Sequence, residues 1–326
     1  MDYQVKKIHI SRRSRVFTKV LKWTLKPLIR LFSFAGVQRV VREQVRMASH
    51  QRKSLYGLPT DYRVINRVLG PTVGDFEDTS QPAILYLHGG GFLMPAVPMV
   101  HLPFMATLCK DLGAVGFMPD YRLAPFHKFP SSLDDCERAY EGLLDLGFDA
   151  NRIIIAGESA GGNLTLGTLQ RIRKAGLPMP ACAVPISPVT EMARVHAPPS
   201  RVRNARKDPL LPINTFGKMH VMYAQGWDAS DPELSPIYAD FTDFPPLYFL
   251  VGETEVLLDD TLIPARRARE AGVDVELDVW PVMPHAFPLF KKLLPEVSIA
   301  RQDIVAFIDK HIDSSSAKVQ KIANLG

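Results

Sequence analysis

A serine flanked by glycines stands where an apolar run gives way to a helix-like stretch. Residues 157–161 read GESAG and fit the pattern GxSxG, after the apolar run 153–156 and before the helical pattern 163–174. In such a strand–turn–helix context the serine occupies a strained turn with its hydroxyl exposed, and the helix N-terminus favours developing negative charge. Side chains at the two glycines would collide with neighbouring backbone. The pattern therefore predicts that Ser159 is a nucleophile and not part of an ordinary glycine–serine turn.

A glycine-rich segment, HGGGF at 88–92, follows the apolar run 83–87. One interpretation is a phosphate-binding loop, but the segment fits neither GxGxxG nor a glycine–lysine–serine/threonine pattern. The other is an oxyanion hole, in which the amides of Gly90, Gly91 and Ala160 stabilise the oxyanion of a tetrahedral intermediate. Because HGGG upstream of GxSxG is the order found in lipases and esterases, the two motifs together favour the oxyanion hole.

A serine nucleophile needs a base and an acid that orients the base, and with these motifs the acid and then the histidine follow the serine along the chain. His285 and His311 follow the last predicted strands. His311 has helical neighbours, which favours a structural role, whereas His285 lies in a loop-like stretch that can reach a cleft. His285 is therefore the predicted base.

Four carboxylates in the segment 252–260 compete for the role of the acid. They are Glu253, Glu255, Asp259 and Asp260. The two aspartates precede a helix predicted to begin near residue 262, so they suit N-caps, and the first glutamate suits a solvated surface. Position alone does not choose among the four.

Short apolar or β-branched runs alternate with helix-length segments from about residue 62 onward. The predicted strands are 63–68, 83–87, 114–118, 153–156, 181–186, 247–251 and 275–279. The predicted helices are 102–112, 132–146, 163–174 and 262–271. This alternation is typical of an α/β protein with a mainly parallel sheet covered on both faces. The start of the sheet is predicted to be antiparallel, because no helix separates the first two strands.

The 326 residues include 46% apolar and 22% charged residues, which suits a globular protein with one large α/β domain and a smaller appendage. Charge is uneven, with a net charge of +12 in residues 1–53 and −7 in the rest. No nucleic-acid-binding motif accompanies the basic arm, so no nucleic-acid partner is predicted. The three cysteines form no CxxC pair, which argues against a disulfide framework or a thiolate zinc site and favours a reducing compartment.

Residues 16–41 have a helical pattern with an apolar stripe and a separate basic stripe, and Pro27 predicts a kink or a break. The apolar stripe either packs on the body as a cap, which we favour, or lies on an anionic membrane surface. No run reaches the roughly 18 apolar residues of a membrane span. Lysines and an arginine interrupt the only candidate signal-peptide core, so the sequence predicts a cytoplasmic protein.

Five segments of the sequence resemble, in kind and order, the motifs of the hormone-sensitive-lipase-like family of α/β-hydrolases, including its bacterial esterase branch. They are HGGGF at 88–92, DYRLAP at 120–125, GESAGG at 157–162, GETEVLLDD at 252–260 and PHAF at 284–287. The resemblance implies an α/β-hydrolase fold and identifies Glu255 as the acid, at a position where most members carry aspartate. It also implies that residues 120–122 support the oxyanion side of the site structurally.

The resemblance further implies a helical cap over the cleft. The expected division is N-terminal cap helices at 1–55, an α/β-hydrolase core at 56–192 and 225–326, and a cap insertion at 193–224, a proline-rich and basic stretch. Long insertions of this kind often cover active sites.

The expected reaction is hydrolysis of short- to medium-chain carboxylic esters through an acyl-enzyme on Ser159, with His285 as base and Glu255 orienting its imidazole. The expected partner is a small-molecule ester, and the mechanism requires no metal or organic cofactor. Two alternatives stay open. One is a non-catalytic small-molecule-binding homologue, against which the presence of His285 argues, and the other is an amidase or peptidase with the same triad. A homodimer through edge strands is also left open.

Overall fold

The computed structural model describes residues 3–31, 54–97, 99–291 and 293–323, most of which are organised around one sheet. Within these ranges the sheet has nine strands in the order β1-β2-β3-β5-β4-β6-β7-β8-β9. The strands are β1 (Ser54–Leu55), β2 (Leu58–Ile65), β3 (Val68–Val73), β4 (Ala83–Leu87), β5 (Val115–Phe117), β6 (Ile153–Glu158), β7 (Cys182–Ile186), β8 (Leu247–Gly252) and β9 (Val275–Trp280). The pairs β1–β2, β2–β3 and β3–β5 are antiparallel and all other pairs are parallel. The predicted mainly parallel sheet with an antiparallel start is confirmed, although β3 pairs with β2 and β5 and not with β4.

Helices cover both faces of the sheet. They are α1 (Arg12–Trp23), α2 (Leu25–Leu31), α3 (His101–Leu112), α4 (Ser131–Asp145), α5 (Ala160–Ala175), α6 (Ser200–Arg203), α7 (Asn214–Met219), α8 (Leu258–Glu270) and α9 (Val297–Ala323). Successive side chains of a strand point to opposite faces. Leu85 and Leu87 accordingly pack with residues of α4, α5 and α8, whereas Ile84 and Tyr86 pack with residues of α3 and α9. Burial on both faces explains why the central strands are continuous apolar runs.

The predicted strand 63–68 is wrong, because it spans a hairpin turn. Strand β2 ends at Ile65, and Asn66 and Arg67 have φ values of 43° and 67° before β3 begins at Val68. Two consecutive residues with positive φ are typical of the tight turn whose twist matches antiparallel strands. The turn at Asn66 and Arg67 contains no glycine, so the sequence gives only a weak indication of where β2 ends.

The helix predicted to begin near residue 262 begins at Leu258 instead. Asp259 and Asp260 therefore lie in the first turn of α8 and are not its N-caps. Their carboxylates accept hydrogen bonds from the segment between β7 and β8, at Ser200 and Arg201 respectively. This tertiary pairing explains why two acidic residues occupy buried positions at the start of the helix.

The helix predicted over 16–41 is broken at Thr24, between α1 and α2, three residues before Pro27. Pro27 lies in the first turn of α2, where a proline needs no amide hydrogen bond. The part of this prediction from residue 32 onward lies outside the described residues. On the inner side of α1, Leu21 is buried and the ring of Phe17 lies 5.5 Å from that of Phe290.

The extended segment before α1 lies along the edge of β9. Val5 forms a parallel bridge to Val279, and the amide of Lys6 donates to the carbonyl of Val279 at 2.8 Å. The ammonium group of Lys6 pairs with Asp278 and Asp303. Part of this sheet edge is therefore covered by the chain itself, which limits pairing with another strand. Among the described residues, no helix is long and apolar enough to cross a membrane.

A buried ion pair fastens the segment between β7 and β8 to the core. Arg201 donates two hydrogen bonds to the carboxylate of Asp260, at 3.0 and 2.6 Å, and their side chains are 1% and 0% exposed. Two parallel hydrogen bonds are the strongest geometry for an arginine–carboxylate pair. The pair therefore joins α6 to the first turn of α8.

We expect the substitution Arg201→Met to lower the free energy of unfolding by about 3–5 kcal/mol, because it leaves the carboxylate of Asp260 buried without its partner. Arg203→Met is the matched control, since the Arg203 side chain is 51% exposed and lies 3.4 Å from Asp259. The control should cost less than about 1 kcal/mol. Urea denaturation of both variants measures the difference, and equal losses would contradict this account of the pair.

Candidate active site

The predicted nucleophile lies on a sharp turn between β6 and α5. Ser159 has φ 60° and ψ −117°, and its amide donates to the carbonyl of Ile186 at 2.9 Å. A Cβ atom on Gly161 would lie 1.9 Å from the carbonyl oxygen of Leu87, and one on Gly157 would lie 2.5 Å from the carbonyl oxygen of Gly161. Only glycine permits these approaches. The flanking glycines thus have the steric role that the sequence predicts.

The glycine-rich loop follows β4 and borders the same cavity as Ser159. Gly90 and Gly91 have φ values of 128° and 65°, and the carbonyl of Gly90 accepts the amides of residues 93 and 94. The φ of Gly90 lies in a region that side chains rarely adopt. Ala160 is the first residue of α5, so its amide is one of those that a helix leaves unpaired at its N-terminus. The three predicted oxyanion donors therefore lie on the two backbone segments that flank the nucleophile.

The carboxylate of Glu158 ties the glycine-rich loop to the nucleophile turn. It is buried and accepts hydrogen bonds from the amide of Gly89 and the hydroxyl of Tyr86, and Nε2 of His101 lies 3.0 Å from it. Burial opposes its charge, but His101 and these hydrogen bonds outweigh burial and hold the pKa of Glu158 below its ordinary value. No sequence motif indicates this bond, because Glu158 and Gly89 are 69 residues apart in the chain.

Of residues 120–122, which are expected to support this side of the site, Tyr121 contacts the glycine-rich loop directly. The hydroxyl of Tyr121 donates to the carbonyl of His88 at 2.5 Å, and the two rings stack with centroids 4.2 Å apart. Arg122 pairs with Asp135 of α4 at 2.9 Å. The two contacts of Tyr121 hold His88, the first residue of the loop, against the core.

Glu255 and His285 meet beside the nucleophile turn. Nδ1 of His285 lies 2.7 Å from Oε2 of Glu255, whose side chain is fully buried. The other oxygen of Glu255 accepts from the hydroxyl of Ser187 at 2.8 Å and from the amide of Gly252 at 2.6 Å. Three partners fix the carboxylate, so it can orient the imidazole. The extra methylene of glutamate is accommodated in this loop.

The other candidate acids and the other candidate base lie elsewhere. The carboxylates of Asp259 and Asp260 are engaged by the segment between β7 and β8. The carboxylate of Glu253 faces Tyr3, where burial and this charge together raise the pKa of the tyrosine hydroxyl. His311 packs on Phe307 in α9. Of the four candidate acids, Glu255 is therefore the one whose carboxylate contacts His285.

The protonation of His285 is set by opposing effects. Burial alone lowers its pKa, but the hydrogen bond that the imidazole donates to Glu255 and the charges of Glu255, Asp208 and Glu158 outweigh burial and raise the pKa of His285 above its ordinary value. With Nδ1 bound to Glu255, Nε2 is the nitrogen that remains to exchange a proton in the cavity.

Ser159, His285 and the glycine-rich loop line one cavity of about 400 Å³. Most of its other walls are apolar side chains. They include Ile29 of α2, Leu210 and Leu211 of the segment between β7 and β8, Phe216 and Met219 of α7, and Phe290. Helix α2 and that segment therefore both contribute to the wall around Ser159 and His285. Within the described residues, no group of three histidine, cysteine, aspartate or glutamate side chains could hold a metal ion.

The family model and the sequence relatives that match this chain point to the same family of proteins. The family described as alpha/beta hydrolase fold matches residues 84–289. An acetyl-hydrolase of Streptomyces hygroscopicus is 36% identical over 225 residues, which are 69% of this chain and 74% of that protein. The esterase LipU of Mycobacterium tuberculosis is 33% identical over 237 residues, 71% of this chain and 78% of that protein.

Solved structures agree with the sequence relatives. An esterase from the bacterial hormone-sensitive lipase family has a TM-score of 0.81 and 30% identity, and the match covers 94% of this chain and all of that one. EstE5, whose crystal was soaked with p-nitrophenyl butyrate, has a TM-score of 0.80 and 32% identity over 94% of this chain and 99% of that one. The chain belongs to the α/β-hydrolase fold family, and its resemblance to the hormone-sensitive-lipase-like branch is confirmed.

We expect NMR titration of the imidazole of His285 to give a pKa above the usual value of about 6.5. Glu255→Gln keeps the side chain's shape but removes its charge, so the imidazolium is less stabilised and the pKa of His285 should fall. The resonance is assigned by its loss in His285→Asn. An unchanged pKa in Glu255→Gln would contradict the proposed orientation of the imidazole.

Proposed function

We propose that this chain hydrolyses carboxylic esters through an acyl-enzyme on Ser159. The observation that carries the proposal is the buried Glu255–His285 pair, which shares one apolar cavity with Ser159 and the glycine-rich loop. The names of relatives support the same activity, since they include acetyl-hydrolases, esterases and carboxylesterases.

In the proposed reaction, the hydroxyl oxygen of Ser159 attacks the acyl carbonyl carbon while Nε2 of His285 accepts the hydroxyl proton. The amides of Gly90, Gly91 and Ala160 stabilise the oxyanion of the tetrahedral intermediate. His285 then donates the proton to the departing alcohol, and the acyl group remains on Ser159. Water attacks this ester with His285 again as base, which releases the carboxylic acid and restores the serine.

Glu255 acts on the imidazole throughout. It holds Nδ1 so that Nε2 faces the reacting groups, and its charge stabilises the imidazolium that forms in both steps. The raised pKa of His285 expresses the same stabilisation. Activity should consequently fall as pH drops through the pKa of His285, since only the neutral imidazole accepts a proton.

The proposed substrates are uncharged esters with short to medium acyl chains. A cavity of about 400 Å³ with mainly apolar walls has room for such a chain, and it favours apolar over charged groups. The soak of EstE5 with p-nitrophenyl butyrate supports this class. A panel of p-nitrophenyl esters from acetate to laurate locates the preferred length, and turnover of none of them would favour the non-catalytic alternative.

We expect Ser159→Ala to lower kcat for p-nitrophenyl butyrate by at least about 10⁴-fold, because no nucleophile remains. Any residual activity would come from the oxyanion donors, which the substitution leaves in place. Ser80→Ala is the matched control, since that serine is exposed and its hydroxyl bonds to Asp78 in a surface turn. The control should keep full activity. Comparable activity in Ser159→Ala would show that another residue is the nucleophile.

We further propose a cytoplasmic location in which the outer side of α1 and α2 rests on an anionic membrane surface. Val16, Val20 and Trp23 lie on one side of α1 and are 59%, 50% and 79% exposed, and Leu28 of α2 is 62% exposed. Helix α1 carries five basic residues and no acidic one. Exposed apolar groups among basic side chains suit the interface of an anionic bilayer.

We expect the protein to cosediment with vesicles that contain phosphatidylserine and only weakly with vesicles of phosphatidylcholine alone. Trp23→Ser should reduce this binding several-fold, because Trp23 is the most exposed apolar side chain of α1. Trp227→Ser is the control, since that tryptophan is 49% exposed on another surface. Equal binding to the two vesicle types, or equal losses from the two variants, would refute membrane contact through α1.

A further inference from the structure

Buried side chains fasten the loop that carries the catalytic acid to the segment between β7 and β8. We call residues 253–256, which follow β8, the acid loop. Four residues at helix-like spacing bond to this loop or to the first turn of α8, and all four are buried. We call them the clamp residues: Ser200, Arg201, Asn204 and Asp208.

Asn204 contacts the backbone of the acid itself. Its side-chain amide donates to the carbonyl of Glu255 at 2.8 Å and to the carbonyl of Glu253 at 3.1 Å. One amide group thus fixes two carbonyls on either side of residue 254. Because Asn204 is only 3% exposed, water has little access to replace these bonds.

Asp208 continues the support on the other side of Glu255. One carboxylate oxygen accepts the amide of Val256 at 2.8 Å, and the other accepts the amides of Leu210 and Leu211 at 2.7 and 2.8 Å. Both leucines line the cavity. A single buried carboxylate therefore joins the acid loop to the wall that faces the substrate.

Lys26 connects this arrangement to the N-terminal helices. Its ammonium group donates to the carbonyls of Ala205 and Asp208, at 2.8 and 2.7 Å. Lys26 belongs to α2, which also contributes Ile29 to the cavity wall. The contacts therefore run from α2 through the clamp to the acid loop without a gap.

We infer that the clamp residues are positioning residues for ester hydrolysis: Asn204 sets the backbone of the acid loop so that Glu255 stays within hydrogen-bond distance of His285, and Lys26 extends this support to α2. The inference rests on the proposed function, because it assigns the clamp a role only through Glu255. Residues that only held the wall of the cavity would not need to bond the backbone carbonyl of Glu255, as Asn204 does.

Asn204→Ala isolates the effect of geometry. The carboxylates that act on the imidazole of His285 are those of Glu255, Asp208 and Glu158, from the acid loop, the segment between β7 and β8, and the nucleophile turn. Asn204 is neutral, so its replacement removes none of these charges. A change in the pKa of His285 in this variant would therefore report a shift of Glu255.

We expect Asn204→Ala to lower kcat for p-nitrophenyl butyrate by about 10- to 100-fold, because a displaced acid misorients the imidazole. The value of KM should change little. The acid limb of the pH profile of kcat/KM should move to lower pH, since a weaker hydrogen bond from the imidazole to Glu255 lowers the pKa of His285. Asn214→Ala is the control: its side chain is exposed in α7 and lies 3.5 Å from the carbonyl of Arg30.

Lys26→Met tests the far end of the same support. A smaller loss of kcat is expected, with a smaller displacement of the acid limb in the same direction. Lys110→Met, at an exposed lysine of α3, should leave kcat and the acid limb unchanged. If Asn204→Ala does not fold, the Lys26→Met result decides: wild-type kcat and an unmoved acid limb would overturn the inference.

The outcomes separate the inference from the proposed function. Wild-type protein that neither hydrolyses the ester nor reacts with a fluorophosphonate would refute the proposed function, and the inference with it. If the wild type is active and labelled, the decisive result is that of Asn204→Ala. A kcat and a pH profile equal to those of the wild type would refute the inference but not the proposed function. A change confined to KM would also refute it, because that result assigns the clamp to the cavity wall only.

Discussion

The backbone of the nucleophile turn lies against the end of β4, and the catalytic geometry depends on this contact. A Cβ atom on Gly161 would lie 1.9 Å from the carbonyl oxygen of Leu87, so no side chain fits between the two segments. Leu87 leads directly into the glycine-rich loop. The contact that fixes Ser159 therefore also places the loop amides beside it, and the carboxylate of Glu158 reinforces this by its bond to Gly89.

Buried carboxylates organise the rest of the site. Glu158, Glu255 and Asp208 are buried, and each accepts at least one backbone amide. Glu158 accepts an amide of the glycine-rich loop, and Glu255 accepts the amide at the end of β8. Asp208 accepts amides of the acid loop and of the cavity wall. A buried carboxylate without such donors would be costly. Each of them therefore holds a backbone segment in place, and together they surround an apolar cavity in which electrostatic interactions are stronger than in water.

The sequence predicts the parts of this architecture that depend on local patterns. Apolar runs that alternate with helical segments were enough for the parallel part of the sheet but not for the hairpin of β2 and β3. The motif GxSxG in its strand–turn–helix context was enough to select Ser159. The acid was different, because four carboxylates share one short segment and tertiary contacts separate them. The family resemblance pointed to Glu255, and the fold gives the physical reason, since Arg201 engages Asp260 while Glu255 meets His285. The role of Glu158 and the bonds of Asn204 were invisible for the same reason, since their partners are distant in the chain.

The central claim is that the reaction passes through an acyl group on Ser159. Rapid quenching of the protein during turnover of p-nitrophenyl butyrate, followed by peptide mass spectrometry, measures this directly. The account predicts a butyryl group on the peptide that contains Ser159, and its absence from that peptide in Ser159→Ala. Sustained turnover with no acylated peptide, or with the acyl group on another residue, would contradict the account.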